Sequence, residues 1–404
     1  MFVAMRSNGS ILHLLNKNWT REELERDRSI FEYECFICKE KVILKLGTQQ
    51  SWHFSHMPDS QCTEKRETED HKKGKLLVAN WLQKHGFHPK VEWYIPKMKQ
   101  RPDVYVEIKK VKYVIEIQRA FLSEEVHRRR DHNYLEQGFV PIWIGLKNKF
   151  SHPIMRKTNV LDALLMRPSP QWHAIYLDIK DSVWTIYTNF KYVTRQKTII
   201  FPLHSDFNIS PVQLFSLKGL TPTISYTHFL KTFYTHWQYE IKLRRQKCYL
   251  SMTRTEKAML RIFQQYQLNL NYFPALGCLP LQSNFYFNTA PMWWQSWIII
   301  ECINKNILNG KIEASKIMNQ LYYLIEIGIF HLRPLGKHPK ELLFEAITEF
   351  FDMLTYFNVL KKQYNNVYFV IHHININKQL DTLCMDDLYI QSKIEGGLCS
   401  NVVE

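Results

Sequence analysis

Long apolar runs are missing from this 404-residue sequence. The richest, "WWQSWIIIECI", is too short to span a bilayer. The opening, "MFVAMRSNGSILHLLNKNWTREELERDRSI", lacks an apolar core of the length a signal peptide needs. The expectation is a cytoplasmic protein with no membrane span. No Walker-type phosphate loop is present, which argues against an ATP-driven motor in this chain. Internal repeats and low-complexity tracts are also absent. Glycine and proline are modest, at 13 and 16, and 45% of residues are hydrophobic, so the chain reads as globular rather than disordered. Eight cysteines in a cytoplasmic chain do not suggest a disulfide framework. Cys248, Cys278, Cys302, Cys384 and Cys399 are scattered singly, and most of them read as small buried apolar side chains.

Positive charge is plentiful. Lys and Arg total 53 against 38 Asp and Glu, a formal net charge of +15. Such a surplus favours polyanions: DNA, RNA or an anionic membrane surface. Charge alone does not choose among them. The runs "HRRRDH" and "KLRRQK" concentrate it, and aromatics are frequent, with 24 Phe, 21 Tyr and 11 Trp. Backbone-tracking cations with bases stacked on rings are how single strands are gripped without sequence choice. Most of these rings must nonetheless be core. "APMWWQSWIII" reads as a packed helix, because Trp293 and Trp297 sit four apart.

The length suits two or three domains. Residues 1–62 hold short strand-like runs and a Cys/His cluster. Residues 63–204 alternate strands and helices. Residues 205–404 look mainly helical, with "NNVYFVIHHI" as a late strand. Within the middle region, Thr63 to Lys84 reads as a helix, acid-rich at its start and stopping at Gly86. "SEEVHRRRDHNYLEQG" reads as another, with Ser123 as N-cap and Gly138 at its end. "FVPIWIGL" is a buried strand, and "HAIYLDI", "SVWTIYT" and "KTIIFPL" read as short antiparallel strands. The expected fold is α/β (α+β), a mixed sheet flanked by helices.

"CFIC" places Cys35 and Cys38 on a turn, "WHFSH" adds His53 and His56, and Cys62 follows. A C-x2-C pair answered by His and Cys matches tetrahedral zinc ligation, and a small module poor in core gains its fold from the metal. The spacing between His53 and His56 is shorter than that of the usual zinc-finger pair. The expected ligands are Cys35, Cys38 and His53, with the fourth open between His56 and Cys62.

The hairpin "RPDVYVEIKKVKYVIEIQ" carries acids where solvent-facing strands carry Lys or Thr. Period-2 alternation puts Glu116 and Gln118 on one face, and pairing through a turn near Lys109–Lys110 brings Asp103 beside Glu116. Facing like charges are unfavourable across a sheet and call for an offsetting cation. Upstream, Glu67, His71 and Lys75 lie four apart and line one helical stripe. Alone, such a stripe is a solvated helix face. Followed by D-x12-E-x-Q, it has the order of a PD-(D/E)xK nuclease core, in which carboxylates hold Mg²⁺ or Mn²⁺ for phosphodiester hydrolysis.

In order, "CFIC", "HFSH", "ETEDHKKGKLLVANWL", "RPDVYV", "VIEIQ", the Arg130-to-Tyr134 spacing and "PIWIGL" resemble the competence protein CoiA family, most strongly over about residues 30–150. "FYFNTAPMWWQSWII" matches its tail more weakly. The resemblance implies a nuclease-like domain of the PD-(D/E)xK type and a role in natural transformation. Incoming DNA, in single strands, would be helped towards recombination, with the strand-exchange recombinase and other competence proteins as partners. It also implies that Asp103 and Glu116 are metal ligands, with Glu67 as the first-helix acid beside His71 and Lys75. Gln118 stands where nucleases usually carry Lys. Arg130 would contact a phosphate, with Arg128 and Tyr134 in the same DNA-binding group.

Two departures bear on the chemistry. Gln118 cannot carry the charge of a Lys, although its amide can orient water, and Lys75 is positioned by sequence to supply that cation. Ala120 stands where the family's small hydroxyl follows the strand. Three functions compete: a metal-dependent nuclease, a DNA-binding adaptor that keeps the fold with little or no cleavage, and a structural zinc protein of another pathway.

Overall fold

The computed structural model describes every residue except 49, 61, 63–67, 119–123, 147–153, 157–170, 336, 377 and 401–404. Glu67, Ala120 and Ser123 therefore lie outside the described residues. The chain divides into two compact units. The first comprises Met1–Ser151, Thr158–Thr188 and Pro202–Thr223; the second comprises His152–Lys157, Asn189–Phe201 and Ile224–Glu404.

The first unit opens with β1 (Val3–Arg6), β2 (Ile11–His13), α1 (Arg21–Ile30), β3 (Tyr33–Glu34), β4 (Lys41–Lys45) and β5 (His53–His56). These strands form a sheet in the order β2-β1-β3-β4-β5. Thr20 begins α1 with a capping box to Glu23, satisfying two backbone donors at once. Strand alternation turns Val42, Leu44 and Phe54 inward onto Ala4, Leu12, Leu24 and Cys35.

Next come α2 (Glu69–Lys84), β6 (Lys90–Val91), β7 (Val104–Ile108), β8 (Val111–Gln118), α3 (Glu124–Glu136), β9 (Phe139–Leu146), β10 (Ile154–Arg156), β11 (Ala174–Asp178), β12 (Val183–Thr194) and β13 (Lys197–Asp206). Within the first unit the strand order runs β12-β11-β9-β8-β7-β6, while β10 and residues Asn189–Phe201 of the β12–β13 hairpin belong to the second unit. Pairing is antiparallel for β6–β7, β7–β8 and β11–β12, and parallel for β8–β9 and β9–β11. The sheet is therefore mixed, with α3 as the crossover between parallel β8 and β9. "HAIYLDI" departs from the antiparallel expectation, because β11 pairs in parallel with β9 on one side. Four of its five residues are buried, as suits an interior strand.

Thr68 caps α2, accepting from the amide of His71, and Glu69 and Asp70 occupy its first turn. The chain leaves this helix at Gly86, φ +81°, where a side chain would be strained. Gly74 faces the sheet. A Cβ there would lie 3.2 Å from Leu146 Cδ2 and 3.3 Å from Ile117 Cγ2, so α2 rides close on β8 and β9. The β7–β8 turn falls at Lys109–Lys110, both with positive φ, as a two-residue hairpin requires. α4 (Pro211–Phe215) and β14 (Thr221–Pro222) complete the unit. Trp81 packs on Trp184 and Phe215 and donates to the Ile209 carbonyl.

The second unit is mainly helical: α5 (Tyr226–Arg245), α6 (Arg254–Gln264), α7 (Pro291–Trp297), α8 (Ala314–Glu326), α9 (Pro339–Tyr356) and α10 (Leu380–Ser400). β15 (Lys311–Glu313), β16 (Leu360–Lys362) and β17 (Val367–Val370) form a small sheet in the order β15-β17-β16. Trp293 and Trp294 are buried in α7, which continues as a π-helical turn over Ile298–Ile303. The buried Arg245 guanidinium grips Asp387 bidentately at 2.9 and 2.8 Å, tying α10 to α5. No helix among the described residues is long and apolar enough to cross a membrane.

Candidate functional site

Two constellations stand out in the first unit. In the first, Cys35, Cys38, His56 and Cys62 bring their ligand atoms within 4.8 Å of one another. Cys35 and Cys38 come from the turn after β3, His56 from the inward face of β5, and Cys62 from the chain beyond it. The Cys38 thiol lies 3.3 Å from His56 Nε2. Burial pushes the Cys35 thiol up, against the amides of Cys38 and Ile37 that point at it. Three thiols and an imidazole make a set that could hold zinc in tetrahedral coordination. His53 is not among them. It stands three residues from His56 on one strand, hence on the opposite face, and its Nδ1 sits 2.8 Å from the Ser51 carbonyl. His56 and Cys62, the two candidates for the fourth ligand, both lie in this set, and His53 lies outside it.

The second constellation surrounds Asp103 and Glu116. Asp103 stands one residue before β7. Val104 pairs with Ile115, so the register places Asp103 across from Glu116. Both carboxylates are buried, and each is held by a different helix. His71 Nε2 lies 2.9 Å from Asp103 Oδ2, which also accepts the Ile117 amide at 2.8 Å. Lys75, one turn further along α2, brings Nζ to 3.2 Å from Oδ1. Burial alone would raise the Asp103 pKa; His71 and Lys75 outweigh it and hold the carboxyl well below the usual range. Glu116 accepts from Arg130 Nη2 at 2.6 Å and from the buried Tyr134 hydroxyl, both on α3. Burial, then the Glu116 charge, pushes the Tyr134 phenol far up, so it stays a donor. Gln118 is half-buried at the end of β8, and Arg128 is exposed on α3.

Sequence models of the "Competence protein CoiA" N-terminal, nuclease-like and C-terminal domains match residues 16–65, 67–219 and 227–383. The chain belongs to the competence protein CoiA family. A curated relative, "Competence protein CoiA" of Bacillus subtilis (strain 168), is 23% identical over 369 residues, covering 89% of this chain and 93% of its own. No solved structure matches. The region carrying Asp103 and Glu116 is thus the nuclease-like domain of a CoiA-family protein, a mixed sheet flanked by helices.

The donor chemistry here suits a hard divalent cation, since both groups are carboxylates that the β7–β8 register sets opposite each other. Their present partners are protein cations, Lys75 and His71 on one and Arg130 on the other, so an ion would share or take over that charge compensation. Among the described residues, the set of three or more His, Cys, Asp or Glu atoms drawn together within 4.8 Å is the cysteine cluster alone. The third carboxylate expected of the family resemblance, Glu67, lies outside the described residues.

Sequence reasoning missed three members of this CoiA-family site. Glu92, buried, accepts Lys75 Nζ at 2.7 Å. Trp143 lies across from Glu116 on β9 and donates to Asp131 at 2.9 Å. His127 packs against Trp143 with the rings tilted at 40° and their centroids 4.1 Å apart; burial, then Arg130 and Arg128, depress its pKa to about 4. Glu92 lies in "KVEWY", where nothing in spacing separates it from a surface acid. Only long-range folding brings it to Lys75.

Proposed function

We propose that this protein processes incoming DNA during natural transformation and promotes its recombination, with its nuclease-like domain hydrolysing phosphodiester bonds at Asp103 and Glu116. The observation that supports this most is that His71 and Lys75, on consecutive turns of α2, both reach Asp103, which the register sets across from Glu116. Asp103, Glu116 and the undescribed Glu67 would hold Mg²⁺ or Mn²⁺. Bound there, such an ion supplies phosphate polarisation and a more acidic attacking water. Lys75 holds a fixed positive charge beside Asp103, the role Gln118 cannot fill. His71 and the Ile117 amide fix the orientation of Asp103 and keep it ionised. Gln118 offers an amide to orient water at the strand end. Arg128 and Arg130, in a chain of net charge +15, attract the sugar-phosphate backbone, single-stranded DNA being the substrate we favour. Zinc at Cys35, Cys38, His56 and Cys62 would be structural. The strand-exchange recombinase and other competence proteins are the partners this role entails, in the cytoplasm.

A second reading has its own support. Because protein cations already neutralise both carboxylates, the domain could keep a nuclease fold for gripping strands and recruiting recombination partners, with little or no cleavage. Labelled single-stranded and duplex DNA with Mg²⁺ or Mn²⁺, given to wild type, Asp103→Ala and Glu116→Ala, separates them. Cleavage by wild type and its loss in both variants supports the nuclease. Salt-sensitive binding with no cleavage by any of the three supports the adaptor.

A further inference from the structure

Glu92, a residue the family resemblance did not single out, reaches two residues of the candidate site, Lys75 and Asp103. Its carboxylate is buried, at 2% exposure, yet it makes three contacts that converge from different parts of the first unit. Oε1 accepts Lys75 Nζ at 2.7 Å from α2. Oε2 accepts the Phe2 amide at 2.8 Å, immediately before β1, and Arg101 Nη1 at 3.3 Å. Its own amide donates to the Asp103 carbonyl at 2.9 Å. Glu92 thus holds Lys75 by the side chain and Asp103 by the main chain. Its backbone has φ +53°, a left-handed conformation that a non-glycine residue rarely adopts. Such a conformation persists only where surrounding bonds enforce it.

The Phe2 contact extends this grip to the N-terminal module. Phe54 donates its amide to the Met1 carbonyl at 2.8 Å, and Leu14 donates to the Phe2 carbonyl at 2.9 Å. Phe54 lies on β5, two residues before His56 of the cysteine cluster. The His13 ring also meets the Val91 carbonyl, next to Glu92, at 2.9 Å. A continuous bonded path therefore runs from the cluster strand through Phe2 to Glu92, Lys75 and Asp103.

We propose that Glu92 is a positioning residue, which locks Lys75 against Asp103 and anchors both to the Cys/His module. It touches no reacting atom; it acts through Lys75. The inference deepens the reading of Lys75 as the site's fixed cation and rests on it only for the functional consequence.

The test is amine acetylation by an N-hydroxysuccinimide ester, read at each lysine by peptide mass spectrometry, on full-length wild type, Glu92→Gln and Cys35→Ser. Lys72, buried one turn earlier on α2 and paired with Glu69, is the internal reference for α2 itself. Loss of a charge-assisted bond from a buried group raises local opening about tenfold or more, so Lys75 labelling in Glu92→Gln rises by about that factor with Lys72 unchanged. Cys35→Ser moves Lys75 in the same direction. Unchanged Lys75 labelling in Glu92→Gln overturns the positioning role, as does an equal rise at Lys72. Unchanged labelling in Cys35→Ser overturns the anchoring to the module. DNA binding and cleavage by the same samples are read in parallel. If Lys75 labelling rises in Glu92→Gln while both stay at wild-type level, the role of Lys75 on DNA fails and its positioning by Glu92 stands.

Discussion

His71 Nε2 sits 2.9 Å from Asp103 Oδ2, joining the first turn of α2 to the chain just before β7. That contact is possible because Gly74 lets the helix lie close on Ile117 and Leu146. A helix that could not approach would leave Asp103 without His71 and Lys75.

Gly74→Val tests the approach. The added carbons would overlap Ile117 and Leu146 side chains already at 3.2–3.3 Å from the first carbon. Overpacking of this kind costs about 1–3 kcal/mol, and the urea midpoint should fall accordingly. An unchanged midpoint would mean that α2 shifts freely, against the packing described.

For the cysteine cluster, metal content discriminates between the two histidines. His56→Ala and Cys62→Ser should lose zinc stoichiometry by elemental analysis, while His53→Ala should retain it, because His53 lies on the opposite face of β5. Zinc retained in His56→Ala and lost in His53→Ala would reverse the assignment. Removing a structural zinc should also unfold much of the N-terminal module.

Tyr134→Phe removes a buried donor from Glu116 and leaves Arg130 as its partner. The expected cost is about 1–3 kcal/mol in stability, measured by denaturant unfolding. A neutral result would show that the hydroxyl contributes nothing net at Glu116.

Acid should weaken the fold in two stages. Burial depresses His127 and His173 to about 4 from an ordinary 6.5. Between those values the unfolded chain binds the protons that the folded one refuses, so this stability is present above about pH 6.5 and is lost as pH falls towards 4. Asp103 and Glu92 are also depressed, and their contribution is present above the ordinary carboxylate range and lost on further acidification. Urea midpoints measured from about pH 7.5 down to 4.5 should decline steadily; a flat profile over that range contradicts the histidine part.

Much of the first unit was legible locally. The Lys109–Lys110 turn follows from alternation on both sides of it, and that turn fixes Asp103 across from Glu116. The stripe of His71 and Lys75 follows from helical spacing. Strand length and direction were less legible: β11 runs parallel to β9, a pairing set by partners distant in sequence. That His56 and not His53 lies in the cysteine cluster depends on which face of β5 points inward, and two histidines three apart do not reveal that. Glu92 was invisible for a related reason. Its partners Phe2, Lys75 and Asp103 lie 90, 17 and 11 positions away, and no periodicity links them.

Manganese binding, followed by electron paramagnetic resonance on wild type, Asp103→Ala and Glu116→Ala, bears most directly on the site. If both carboxylates serve one ion, wild type takes up Mn²⁺ and each single substitution abolishes that uptake. Equal Mn²⁺ binding by all three proteins would contradict the account.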